Sequence, residues 1–261
     1  MVGLVLVTGL VALAAFAPLL APADPLRGAL SESLHSPSRA FLFGTDVQGR
    51  DVLTRVLFGA RLSLSVGLVS QTIACALGLA LGLVAGYAGR WVDAAIMRLA
   101  DVTLAFPSLL LLIAIAAAVR PSLPLVFVVI GIVGWAGMAR LVRGQVLVVR
   151  GLEYVQAARA LGASDARIVT RHLLPNVLAP VIVAATLGIG GAIMAEAALS
   201  FVGLGAQPPT PSWGAMVADG RDLLRVAPWV SLFPGLAIGL TVLAVNLLGD
   251  GLRDALDVRA R

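Results

Sequence analysis

The sequence contains no lysine: all 19 of its basic residues are arginine. That absence excludes a Walker A phosphate loop, whose lysine reaches the β- and γ-phosphates. It also excludes Schiff-base chemistry, which needs a side-chain amine. Cysteine is nearly missing too. The single Cys75 rules out an intrachain disulfide and a thiolate metal cluster, and its place within an apolar run reads as packing. Only two histidines occur, His35 and His172. Both fall in loops and neither has a serine motif beside it within a span, so an intramembrane serine–histidine pair is hard to assemble. Charge is scarce: 13% of residues are Asp, Glu, Lys or Arg, against about 25% in soluble domains.

What fills the chain instead is apolar. Of 261 residues, 59% are hydrophobic, and the mean hydropathy is +0.99. Composition places the chain in a membrane, in contact with lipid. The net charge of +5 reads as a topology signal rather than a nucleic-acid footprint, because the arginines cluster beside apolar runs. No catalytic residue, metal site or nucleic-acid partner is expected.

Uncharged runs long enough for a bilayer core of about 30 Å, at about 1.5 Å per helical residue, recur along the chain. The sequence predicts an all-α membrane protein of one domain, with six transmembrane helices at about 1–22, 62–89, 102–119, 122–141, 176–199 and 227–249. No basic segment precedes the first run, so it reads as a retained helix rather than a signal peptide. The second carries Gly67, Gly78, Gly82 and Gly86, and small residues four apart permit close helix contact. A polar connector follows, with Arg90, Asp93, Arg98 and Asp101 at helical pair spacings and Trp91 suited to interface depth. Pro107 sits near the start of the third span, and Arg120-Pro121-Ser122 makes a tight turn. An external loop over 23–61, a second over 200–226, a cytoplasmic loop over 144–175 and a tail over 250–261 complete the chain.

The polar interruption from Arg140 to Pro175 organises the rest. Arg140, Arg143, Arg150, Arg159, Arg167 and Arg171 face only Glu153 and Asp165. Val155, Ala158 and Leu161 recur at helical spacing, Gly162 offers a C-cap, and Ser164 a following N-cap. A short helical hairpin hung from a membrane domain is a shape another protein can grip.

Within this stretch, Gln156-Ala157-Ala158, Gly162 and Leu174-Pro175 resemble the EAA loop of ABC-importer permeases: Glu-Ala-Ala, three residues, Gly, nine residues, then Ile-x-Leu-Pro. Gln156 stands at the family's Glu and His172 at its Ile. The first departure removes an ion pair. The second removes an apolar contact that Leu173 is placed to supply. Gly44-Thr45-Asp46, Gly49-Arg50-Asp51 and Gly59-Ala60-Arg61 resemble the first external loop of peptide and nickel permeases. The run from Glu196 to Gly205, continuing through Gln207-Pro208-Pro209-Thr210-Pro211-Ser212-Trp213-Gly214, resembles the same subfamily. So does the ending Asp250-Gly251-Leu252-Arg253-Asp254-Ala255-Leu256-Asp257-Val258-Arg259, where Val258 replaces a proline.

The chain is thus similar to the dipeptide, oligopeptide and nickel permeases, as the C-type partner of a permease pair. The resemblance implies a type I ABC-importer permease fold with a cytoplasmic coupling helix. It implies an ATPase-coupling loop carried by Glu153, Gln156, Ala157, Ala158, Gly162, Ala163, Asp165, His172, Leu174 and Pro175. The expected partners are a second permease subunit, one or two cytoplasmic ATPase subunits that bind ATP and Mg, and an extracytoplasmic substrate-binding protein. This chain itself would bind no cofactor. Peptides are the expected cargo, with nickel or another small solute as the alternative.

Glu196 is the one carboxylate embedded in a long apolar stretch. Such a residue points to function, so Glu196 and Ser200 are candidates for an outer gate or path, against the plainer reading of a pairing near the outer face. Six spans put both termini on one side of a bacterial inner membrane. With the hairpin inside, eleven arginines lie inside and eight outside, and dropping the acid-matched first external loop sharpens the bias. An ion-coupled secondary transporter is the rival reading. It predicts repeat symmetry and broken helices at the midplane, and the sequence carries no convincing repeat.

Overall fold

A computed structural model describes residues 1–119 and 122–256. The expected turn at Arg120-Pro121 and the Asp257-Val258-Arg259 end of the tail lie outside the described residues. The helices are α1 (Val2–Ala15), α2 (Ala17–Leu20), α3 (Val52–Ala88), α4 (Arg90–Ala105), α5 (Ser108–Ala118), α6 (Leu123–Val149), α7 (Glu153–Ala160), α8 (Asp165–Ile168), α9 (Leu174–Phe201), α10 (Trp213–Gly220) and α11 (Trp229–Leu256). Among the described residues the only β pairing is an isolated bridge between Thr45 and Asp51.

Four bodies are long and apolar enough to cross a membrane: α3, α6, the continuous Asp165–Phe201 helix and α11. The expectation of six straight spans needs correction at two places. The span at 102–119 is not one helix. Phe106 precedes Pro107 and is extended (φ −86°, ψ 139°), as steric clash with a following proline ring favours. The helix therefore breaks, and α4 and α5 meet at 90°. The 11 residues of α5 reach only about 16 Å, too short to cross alone. The first span also divides. Pro18 cannot continue a helical ladder, so α1 stops at Ala15 and α2 restarts at Ala17.

Other helices outrun their expected bounds: α11 runs to Leu256 rather than 249, and the helix expected from 176 begins at Asp165. Helix α3 begins at Val52, because the Asp51 carboxylate accepts from the Thr54 amide at 2.7 Å and caps it. Arg55 and Arg61 break the apolar run but not the helix. Helix α6 continues past 141 to Val149. Its Arg140 and Arg143 pair with Asp101 and Asp93 of α4 at 2.6 and 2.5 Å, so these charges join two helices instead of ending one.

The glycines of α3 bring α6 close. A Cβ added at Gly82 would lie 2.6 Å from the Ala139 carbonyl oxygen, and one at Gly86 would lie 2.7 Å from the Val146 Cβ. From the other side, a Cβ at Gly131 would meet the Ile73 Cβ at 2.6 Å. Small residues thus set a backbone approach that larger ones would block. The apolar core runs along this seam. It spans Met138, Val142, Val146 and Val149 at one end, Val66, Leu112 and Leu199 in the middle, and Ala60, Ile193 and Trp213 at the other end.

Candidate functional site

The hairpin is built from two caps and a buried seat. Helix α7 ends in a Schellman turn: Gly162 (φ +80°) donates to the Arg159 carbonyl at 3.0 Å, and Ala163 donates to the Ala158 carbonyl at 3.1 Å. Both bonds satisfy carbonyls that a helix end would otherwise leave open. Ser164 then accepts from the Arg167 amide at 3.4 Å and starts α8. Underneath, Val155, Ile168 and Leu173 are buried against Val142, Val146 and Val149 of α6. On the opposite side Glu153, Gln156 and Ala157 are exposed, and Leu161 at the tip is 89% exposed. Ala158 and Ala163 are half-buried between the two faces.

Polar contacts clamp the hairpin to the end of α3. Arg150 donates to the Gly86 carbonyl at 2.7 Å. The Tyr87 hydroxyl donates to Asp165, and the Arg159 guanidinium lies over the Tyr87 ring, 5.6 Å from its centroid. Gln156, in the position where the related loops have Glu, donates to the Arg150 carbonyl at 3.2 Å. A neutral amide thus makes a local bond there.

A π turn over Val169–Leu173 decides which side chain closes the seat. Buried residues fall at Ile168, Leu173, Val177 and Val181, a first step of five followed by steps of four. A straight α-helix would place residue 172 beneath Ile168; one π turn of i→i+5 pairing moves that place to Leu173. His172 is left half-buried, its ring centroid 6.0 Å from that of Tyr154. The apolar contact expected at 172 is therefore made at 173. Leu174 is half-buried, and Pro175 lies exposed at the start of α9.

At the far end of α9, Glu196 is 1% exposed and Ser200 is 5% exposed. The Ser200 hydroxyl donates to Glu196 Oε1 at 2.6 Å and accepts from the Ala206 amide at 3.3 Å. It also lies 3.4 Å from the Ser212 hydroxyl, which caps α10 by accepting from the Ala215 amide at 3.1 Å. Glu196 Oε2 has no partner among the described residues. Gly214 makes the approach possible, since a Cβ there would lie 2.5 Å from the Ala197 Cα. Glu196 and Ser200 thus form an interior latch between α9 and the loop that leads into α10. Trp213 is 1% exposed, with its indole donating to the Val56 carbonyl at 2.9 Å.

The first external loop folds around Asp46. Its carboxylate accepts from the amides of Gln48 and Arg50 at 2.8 and 3.0 Å, and from Arg50 Nε at 2.6 Å. Arg55, 4% exposed, reaches the same carboxylate at 3.6 Å. Gly44 and Gly49 take positive φ, which glycine alone tolerates freely, and Trp229 donates to the Thr45 carbonyl at 3.1 Å. Nothing in the sequence links Asp46 to Arg55 or Tyr87 to Asp165.

A transmembrane domain with an exposed, firmly seated hairpin between two long spans is the arrangement of a transport permease. The profile of the family described as "Binding-protein-dependent transport system inner membrane component" matches residues 78–261. The chain belongs to that family and is a multi-pass inner-membrane component of a transport system. It is 50% identical over 260 residues to the dipeptide transport system permease protein DppC of Alkalihalophilus pseudofirmus, covering 100% of this chain and 86% of that one. It is 49% identical over 245 residues to the probable D,D-dipeptide transport system permease protein DdpC of Escherichia coli, covering 94% and 82%. It is 48% identical over 225 residues to the glutathione transport system permease protein GsiD of Pectobacterium atrosepticum, covering 86% and 75%. Among solved structures, an inward-facing MetNI methionine ABC transporter superposes with a TM-score of 0.65 at 19% identity, over 78% of this chain and 96% of that one. The fold is that of a type I ABC-importer permease.

Proposed function

We propose that this chain is a permease subunit of an ATP-driven peptide importer, and that the hairpin at Glu153–Pro175 is its coupling element. Relatives named for dipeptide and glutathione transport, at about half identity along nearly the whole chain, support the cargo class. The observation that carries the coupling role is the hairpin's two-sidedness: Val155, Ile168 and Leu173 fix it to the membrane domain, while Leu161 and the α7 face stand free. In this reading a cytoplasmic ATPase grips that free face and binds the ATP and Mg that this lysine-free chain has no phosphate loop to hold. A second permease subunit completes the translocation path, and an extracytoplasmic binding protein delivers the peptide. Both termini then lie in the cytoplasm.

Closure of the ATPase subunits on ATP moves the hairpin, and the helices continuous with it rock the path between its openings. Glu196 and Ser200 act as an outer latch that must be released for the external end of α9 to move. The test is uptake of a labelled dipeptide by cells lacking the chain and by cells in which it is restored. Restoration of uptake, with an ATPase and a second permease co-purifying, is expected. Uptake unaffected by loss of the chain would refute the cargo, and a hairpin reached by impermeant reagents from outside would refute the orientation.

A further inference from the structure

The external face holds a pocket of about 250 Å³, lined by the first loop, the start of α3, the segment before α10, α10 itself and the start of α11. Half of its lining residues are apolar: Val47, Ala206, Pro208, Pro209, Ala215 and Val230. Its charged groups differ in depth. Arg50 and Arg55 lie inside, with side chains 12% and 5% exposed, and Asp219 stands exposed at the rim on α10. Asp46 also lines the pocket, and one of its oxygens serves both arginines, at 2.6 and 3.6 Å. Arg55 gives one further bond, from Nη1 to the Pro25 carbonyl at 3.3 Å.

The two guanidiniums together carry more donors than one carboxylate and one carbonyl can use, since each has five N–H groups. A cavity that sets convergent polar groups among apolar ones has the character of a small-molecule site. Counted over the four lining charges the pocket is neutral, with its positive end inside and a negative group at the mouth. A lone acidic side chain from a partner would leave Asp219 facing a like charge. A zwitterion satisfies both ends. The volume equals about eight waters at roughly 30 Å³ each, which is the size of an amino acid or a dipeptide.

We propose that this pocket binds a small zwitterionic peptide, its carboxylate against Arg50 and Arg55 and its ammonium at Asp219. The choice of a peptide rests on the import reading above; the pocket's charge layout does not. Thr210 and Gln48 also line the pocket, which adjoins the Glu196 latch through Ala206.

The test uses the purified full chain in mild detergent with labelled L-alanyl-L-alanine. Saturable binding is expected. The Asp219→Asn variant should weaken it by about tenfold or more, as expected for loss of one charge-assisted bond, and N-acetylation of the ligand should weaken it similarly without a further loss in Asp219→Asn. Thr210→Trp, which fills the mouth, should abolish binding while the variant keeps its elution profile and helical signal. Absence of alanyl-alanine binding, or binding untouched by both variants, would overturn the proposal. Cellular uptake separates the two readings. Dipeptide uptake with no pocket-dependent binding sinks the pocket alone. Pocket-dependent binding with no uptake sinks the cargo assignment and leaves the pocket standing.

Discussion

Replacing Leu173 by alanine should damage the protein far more than replacing His172, although alignment of the loop with its relatives would predict the reverse. Leu173 is fully buried in the cluster that seats the hairpin, between Ile168 and Val177. Truncating a fully buried leucine costs about 2–5 kcal/mol, as lost transfer energy plus a cavity. His172 is half-buried and touches the edge of the seat near Tyr154, so its removal should fall near the ±0.5 kcal/mol of surface changes. For a chain of this size, each kcal/mol moves the midpoint by about 2–4 °C, so Leu173→Ala should lower it by about 4 °C or more and His172→Ala by little. Thermal unfolding of the two variants in one detergent, followed by near-ultraviolet signal at a fixed scan rate, measures the difference. The reasoning turns on the π turn. A larger loss in His172→Ala would mean that the helix is straight there and that the register given above is wrong.

A valine at Gly162, where φ is +80° and no atom lies within 4 Å of the added Cβ, should cost about 1–2 kcal/mol of local strain without a clash; ATP hydrolysis by the assembled complex should then lose its dependence on cargo, and unaltered coupling would argue against the docking role. Gly82→Val should push α3 and α6 apart, because the added atoms meet the Ala139 carbonyl, at a cost of about 1–3 kcal/mol read as a lower unfolding midpoint; an unchanged midpoint would disprove the close contact. Partial desolvation by the pocket walls raises the Asp219 carboxyl above the ordinary aspartate range, against the opposing pull of Arg55 and Arg50. The ionised form is the one that holds an ammonium, so alanyl-alanine affinity should fall on acidification, beginning at a higher pH than an ordinary aspartate would give. A titration that is flat down to the ordinary range, or that is still present in Asp219→Asn, would contradict that assignment.

Much of this architecture was legible because its signals are local. A Schellman turn needs glycine at one position and a helix on its near side, and Gly162 supplied the mark. Close helix contact needs small residues at intervals of four, and Gly78, Gly82 and Gly86 supplied them. Helix ends were read less well, because charge was taken as the end of a span. Arg140 and Arg143 stay helical by meeting Asp101 and Asp93, and partners 39 and 50 residues away leave no local trace. The π turn is likewise invisible to a period count, since it shifts the apolar face by one residue and His172-Leu173-Leu174 fits either phase. The external pocket could not be read at all. Arg50 and Thr210 belong to segments far apart in sequence, and only the folded loop brings them to one cavity.

The two functional ends of the chain are joined by one body. Asp165–Phe201 is a continuous helix of 37 residues, about 55 Å at 1.5 Å per residue, with the hairpin seat at its start and the Glu196 latch near its close. The seat combines apolar burial, which has no preferred direction, with the clamps from Arg150 to Gly86 and from Tyr87 to Asp165, so it moves as one piece. The latch is held by hydrogen bonds from Ser200 to Glu196 and from Ala206 to Ser200, which weaken steeply once distance and angle are lost. Under the coupling proposed above, a displacement at the hairpin is therefore kept at the seat and spent at the latch. Pro180, inside α9, lacks an amide and lets the helix bend, as do Pro175 and the π turn nearer the seat, and a bend at any of them would absorb the movement before it arrives. Spin labels at the exposed Leu161 and Val202 decide between these outcomes in the full complex. An ATP-dependent shift at both sites fits transmission along a rigid α9, whereas a shift at Leu161 with Val202 unmoved would place a hinge between them and end the role given to Ser200.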